Sequence, residues 1–137
     1  MSDDLRELPP DERRTSPRFA LEFVVEVRPA PALGHDTDAY ALRNPFRPGT
    51  IKEISTGGIY FISAMRFNVG EMVEIRLTHG ERVYAFRAVA RHVTQDQVSA
   101  RPTFGVGAQL VRGEQTDAVL QVLIKRALSG VLGGRTR

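Results

Sequence analysis

The sequence predicts an all-β fold, a six-stranded antiparallel β-barrel followed by a C-terminal α-helix. Three observations support this prediction. Six short stretches alternate apolar and polar residues, glycine-containing turns separate several of them, and the apolar period lengthens to that of a helix after residue 116. The 137 residues are enough for one domain with a hydrophobic core.

Each predicted strand carries apolar residues at every second position. The predicted strands comprise residues 21–27, 50–54, 59–63, 73–77, 83–93 and 104–110. Asn68-Val69-Gly70 and His79-Gly80 are turn sequences, and Ser55-Thr56-Gly57-Gly58 joins the second and third strands. The glycines of this last turn suit a backbone that requires positive φ. Gly105 and Gly107, on one face of the sixth strand, indicate a bend or a close backbone approach.

The helix is expected to begin near Thr116, a residue type that favours helix N-caps, and to end at Gly133-Gly134. A single apolar stripe runs along it, made of Val119, Leu120, Leu123, Ala127, Leu128 and Val131. We expect this stripe to pack in the core. The alternative is a partner-binding surface that emerges at residues 128–132.

The composition also suggests how the chain is organised. Residues 1–12 are polar and acidic and are expected to form a flexible arm. Residues 13–132 form the barrel domain with its helix, and residues 133–137 a tail. Within the domain, residues 29–49 contain scattered prolines and glycines without an apolar period, which predicts a long mobile loop. No membrane span or secretory signal is evident, so a cytoplasmic location without membrane insertion is expected.

Several classes of function are disfavoured. Without cysteine the chain has no disulfide, thiolate metal site or cysteine nucleophile. His35, His79 and His92 lack metal-ligand spacing, and Ser55 lacks the glycine of a nucleophile elbow at position 53. We therefore expect a non-enzyme with no metal or cofactor.

Nucleic acid is an improbable partner because the formal net charge is only +3. A small barrel that binds single strands is a third-ranked alternative. It rests on Tyr84 and Phe86, which lie near Arg82 and Arg87 in the sequence. A salt-dependent gel shift would support it.

Two segments carry the binding chemistry: Arg13-Arg14-Thr15-Ser16-Pro17-Arg18, just before the first strand, and Glu53-Ile54-Ser55-Thr56-Gly57-Gly58, between the second and third. Arginine binds phosphates bidentately and stacks on flat bases. The second segment supplies a carboxylate acceptor, a hydroxyl and a tight turn. Together they predict a pocket for an anionic ligand that carries a hydrogen-bonding ring.

Arginine spacing alone is not informative in this chain. Lys52 and Lys125 are the only lysines among 19 cationic residues, so arginine pairs arise easily by chance. Three Arg-x-x-x-Arg pairs occur: Arg14/Arg18, Arg43/Arg47 and Arg87/Arg91. We interpret the second and third as surface charge.

The order of these motifs resembles that of a PilZ domain. In that family an Arg-x-x-x-Arg segment precedes the first strand, and an [Asp/Asn]-x-Ser-x-x-Gly turn follows the second. Only the Arg14/Arg18 pair stands in the family's place. Phe104-Gly105-Val106-Gly107 also resembles the family's closing strand, and the likeness extends over residues 13–128. One position departs from the pattern, because Glu53 replaces the usual Asp or Asn.

PilZ domains are known as bacterial receptors for cyclic di-GMP. The resemblance therefore implies that this chain binds cyclic di-GMP and passes the signal to a protein partner. It implies that Arg14 and Arg18, with Arg13 as a further contact, hold the phosphates and guanines. Ser55 would supply a hydroxyl, Gly58 the close backbone approach, and Glu53 an acceptor for the guanine N–H edge. Binding would draw residues 12–18 onto the barrel. The alternative is an adaptor that controls motility, pili or polarity through protein contact without cyclic di-GMP.

Overall fold

The structure, a computed structural model, describes residues 17–31, 37–96 and 101–135, with side chains as far as residue 129. The predicted arm 1–12 and two of the predicted ligand-binding residues, Arg13 and Arg14, lie outside the described residues.

The described chain forms six strands and two helices. In order they are β1 (Phe19–Pro29), α1 (Asp38–Arg43), β2 (Arg47–Ile54), β3 (Gly58–Ser63), β4 (Met72–His79), β5 (Arg82–Asp96), β6 (Thr103–Val111) and α2 (Thr116–Arg135). The strands close into a barrel in the order β1-β2-β3-β6-β5-β4, and β1 pairs with β4. Every neighbouring pair is antiparallel. The predicted fold class is therefore confirmed.

The core fills the barrel because alternate strand residues point inward. Phe61 and Phe67 are its largest fully buried side chains, and their rings meet edge to face with centroids 5.9 Å apart. Helix α2 packs chiefly against β1. Four residues of its predicted apolar stripe are buried, namely Val119, Leu120, Leu123 and Ala127. Leu128 is 47% exposed, so the stripe leaves the core at that residue.

The end of α2 corrects one prediction. The helix does not stop at Gly133-Gly134 but continues to Arg135, through part of the predicted tail. Glycine costs about 1 kcal/mol relative to alanine inside a helix, so it weakens a helix without terminating it. No helix in the described part of the chain is long and apolar enough to cross a membrane.

The segment 29–49, predicted as a loop without regular structure, contains α1 and the first residues of β2. Local and long-range contacts hold α1. The Thr37 hydroxyl caps its start by accepting from the Tyr40 backbone N–H at 3.1 Å, and the Tyr40 hydroxyl donates to the Pro29 carbonyl at 2.5 Å. Just after the helix, the Phe46 ring makes cation–π contacts with the guanidinium groups of Arg28 and Arg76, which lie 4.4 and 4.1 Å from the ring centroid. These contacts bind the segment to the outside of the barrel.

Candidate ligand-binding site

A shallow cavity of about 270 Å³ lies over the turn between β2 and β3. Strands β5 and β6 form its opposite wall. Its lining residues are Arg18, Glu53, Ile54, Ser55, Gly57, Gly58, Ile59, Tyr60, Arg91, Ala108 and Gln109. The structure thus brings together the four predicted site residues that it describes, Arg18, Glu53, Ser55 and Gly58.

Irregularities in three strands surround this cavity. The β1–β2 register shifts between Ala20 and Phe23, and the β2–β3 register shifts between Ile51 and Glu53. The β5–β6 register shifts between Ala90 and His92, so Arg91 is the extra residue of a bulge. Bulges bend a strand and re-aim side chains, and they are common beside functional sites.

The β2–β3 turn is held by its own hydrogen bonds. The Ser55 backbone N–H donates to the Gly58 carbonyl at 2.9 Å, and the Ser55 hydroxyl donates to the same oxygen at 3.4 Å. The Leu110 N–H donates to the Gly57 carbonyl at 3.0 Å, which ties the turn to β6. The serine and the glycines therefore form a preorganised wall of the cavity.

Positive φ, predicted for the glycines of this turn, is not observed at Gly57 or Gly58. Among the described residues, only Gly70 and Gly80 have positive φ. Gly58 is instead required by close packing, since a Cβ atom there would lie 2.8 Å from the Ala108 carbonyl oxygen of β6. Nothing lies within 4 Å of the equivalent position at Gly57, which leaves that side of the turn open.

Arg18 and Glu53 form an ion pair in the cavity, with Nη1 and Oε1 3.3 Å apart. Their side chains are 48% and 38% exposed, so water screens the pair. Exposed pairs of this kind contribute about 0–1 kcal/mol. The guanidinium can therefore exchange its carboxylate partner for a ligand anion at little cost.

Three polar side chains of the lining were not predicted as site residues: Tyr60, Arg91 and Gln109. The Arg91 Nε donates to the Gln109 Oε1 at 3.1 Å. Arg91 is exposed, as expected for surface charge, but its place on the bulge puts it in the cavity wall. Tyr60 was signalled indirectly by Gly105, because a Cβ atom there would overlap the Tyr60 hydroxyl.

The lining supplies chemistry for an anion. It contains two guanidinium groups, from Arg18 and Arg91, and one carboxylate, from Glu53. Hydroxyl and amide groups from Ser55 and Gln109 add hydrogen-bonding capacity. In the described parts of the chain, no group of histidines and acidic residues could hold a metal ion.

The chain is similar to known proteins in sequence and in fold. A family model described as PilZ domain matches residues 12–126. No curated protein sequence matches the chain.

Solved structures share the fold. The PilZ domain with c-di-GMP of YcgR from Escherichia coli superposes with a TM-score of 0.65 at 13% identity, over 91% of this chain and 98% of that one. The Klebsiella pneumoniae MrkH–c-di-GMP complex superposes with a TM-score of 0.57 at 16% identity, over 90% of this chain and 55% of that one. The Bacillus subtilis inhibitor of motility MotI/DgrA superposes with a TM-score of 0.51 at 24% identity, over 90% of this chain and 58% of that one. The chain therefore spans little more than half of the last two proteins.

Proposed function

Because the chain belongs to the PilZ domain family, we propose that it is a single-domain receptor for cyclic di-GMP that passes the signal to a protein partner. One observation carries the proposal. Arg18, which precedes β1, lines one cavity together with Glu53, Ser55 and Gly58 of the segment that joins β2 to β3. These are the described positions that correspond to the family's two motifs, with Glu53 in place of the usual Asp or Asn.

The ligand suits the chemistry of the cavity. Cyclic di-GMP carries two phosphates and two guanines, so it needs fixed positive charge and partners for the guanine edges. Arg18, together with Arg13 and Arg14, would bind the phosphates with bidentate hydrogen bonds and stack on the bases. The Glu53 carboxylate would accept from a guanine N–H, and the Ser55 hydroxyl would add a further hydrogen bond.

Binding would also change the surface of the protein. Residues 13–17 lead directly into Arg18 and β1, so a ligand held by Arg13, Arg14 and Arg18 would draw this segment over the cavity. A partner that contacts the covered cavity would bind the liganded state more tightly. Such a difference in affinity is what converts ligand binding into a signal.

Titration calorimetry with purified protein and cyclic di-GMP tests the proposal. We expect saturable heat below about 50 µM ligand, and at least a tenfold loss of affinity in both Arg14→Ala and Arg18→Ala, because each removes a charge-assisted contact of about 1.5–3 kcal/mol. Arg43→Ala is the matched control, since Arg43 belongs to another Arg-x-x-x-Arg pair and lies in α1. Absence of heat with the wild-type protein would rule out a tight receptor. A loss below about threefold in both variants would show that these arginines do not hold the ligand.

The presence of Glu53 in place of the usual Asp or Asn favours a second candidate, an adaptor of the same fold that acts by protein contact alone. In that case the longer side chain places the carboxylate where it cannot accept from the guanine N–H. A folded wild-type protein without cyclic di-GMP binding, but with binding restored in Glu53→Asp, would support the adaptor.

A further inference from the structure

We propose that Arg91, positioned by Gln109, forms an additional subsite that reads guanine and makes the cavity selective for guanine over adenine. This inference rests on the proposed function, because it assigns a base-recognition role to residues of the same cavity. Neither residue belongs to the two motifs that identify the family.

The backbone places Arg91 for this role. Gln109 stands opposite Gly58 on one side and Val89 on the other, so it lies directly beside the β2–β3 turn. Arg91 is the extra residue of the β5 bulge, which turns its side chain toward the same place. Both side chains are exposed and line the cavity.

The hydrogen bond from Arg91 Nε to Gln109 Oε1, 3.1 Å long, uses one of the five guanidinium N–H donors. It fixes the plane of the guanidinium group and leaves the terminal nitrogens for other acceptors. In the described part of the chain, no carboxylate lies within ion-pair distance of Arg91, whereas the Arg18 guanidinium is paired with Glu53. Arg91 therefore presents an oriented guanidinium group that forms no ion pair with the described acidic side chains.

Such a fork matches one base in particular. Guanine presents two acceptors, O6 and N7, at the spacing of two arginine N–H groups, and this is the commonest specific arginine contact. Adenine presents an amino donor in place of O6, so one donor of the fork would face another donor. Tyr60 also lines the cavity, and aromatic side chains stack on bases without regard to sequence. Arg91 would therefore discriminate at the O6/N7 edge of guanine, in addition to the contact of the Glu53 carboxylate with a guanine N–H.

Calorimetric titration of the full chain with cyclic di-GMP and with cyclic di-AMP tests the subsite. We expect Arg91→Lys, which keeps the charge but loses the fork, to weaken cyclic di-GMP binding about tenfold and to change cyclic di-AMP binding by less than about twofold. Gln109→Ala should also weaken cyclic di-GMP binding more than cyclic di-AMP binding, but with a smaller loss of affinity than Arg91→Lys. Arg87→Lys is the control, because Arg87 lies on the same strand, pairs with Glu74 at 3.9 Å and does not line the cavity.

The outcomes separate the two proposals. If the wild-type protein binds neither nucleotide, the proposed function fails and the subsite fails with it. If it binds cyclic di-GMP and both Arg91→Lys and Gln109→Ala leave the affinity unchanged, only the subsite is refuted. An equal loss for both nucleotides would also overturn it, since that pattern indicates a phosphate contact. Unchanged melting temperatures of the variants establish that they are folded.

Discussion

At the scale of single residues, the decisive feature is the carboxylate of Glu53. It stands where PilZ domains carry Asp or Asn, and it lies 3.3 Å from the guanidinium of Arg18. Both groups are partly exposed, so the pair is weak enough for a ligand to replace. The longer side chain therefore affects where the acceptor lies more than whether the arginine is available.

Substitutions of Glu53 separate these effects. Glu53→Ala removes the acceptor and should leave a guanine N–H unpaired, which costs about 1–3 kcal/mol and weakens cyclic di-GMP binding about tenfold or more. Glu53→Asp shortens the side chain by one methylene, about 1.5 Å, and should keep the affinity within about tenfold of wild type. Calorimetry measures both. A gain of about a hundredfold or more in Glu53→Asp would instead identify the wild-type chain as an adaptor that has lost the ligand.

The site residues divide into those that the sequence could predict and those that it could not. Ser55, Gly58 and Glu53 fall in one short turn, so local sequence was sufficient to group them. Arg91 and Gln109 meet only because β5 pairs with β6 and carries a bulge at that point. The alternation of apolar and polar residues does not fix the position of a bulge, and neither does the composition. No sequence pattern therefore distinguished Arg91 from other exposed arginines.

At the scale of elements, the strands were predictable and α1 was not. Alternation of apolar and polar residues gave all six strands, with ends that differ by a few residues from those observed. Helix α1 has only six residues, too few to be stable alone in water. It is held by contacts with residues distant in sequence, namely the hydrogen bond of Tyr40 to Pro29 and, just after the helix, the cation–π contacts of Phe46 with Arg28 and Arg76. Local sequence does not reveal such contacts.

Removing the ring of Phe46 tests this explanation of α1. Phe46→Ala deletes two cation–π contacts and the packing of a half-buried ring, and we expect it to lower the free energy of unfolding by about 1–3 kcal/mol. Leu42→Ala is the control in the same segment, because Leu42 is 83% exposed and should cost less than about 0.5 kcal/mol. Urea unfolding measures both. Equal effects would show that the stacked ring does not anchor the segment.

At the scale of the whole molecule, the candidate site depends on pairing between strands that are distant in sequence. Its lining comes from β2, β3, β5 and β6, with Arg18 immediately before β1. A ligand in this cavity therefore contacts residues that only the folded sheet brings together. A ligand that binds only this folded state should stabilise the entire domain by mass action.

The most direct measurement is a titration of ¹⁵N-labelled protein with cyclic di-GMP, followed by the backbone amide signals. We expect saturable shifts at Arg18, Ser55, Gly58, Arg91 and Gln109, which line the cavity, and no comparable shifts in α1. Shifts centred on α1, or no shifts at millimolar ligand, would contradict a cyclic di-GMP site at the β2–β3 turn.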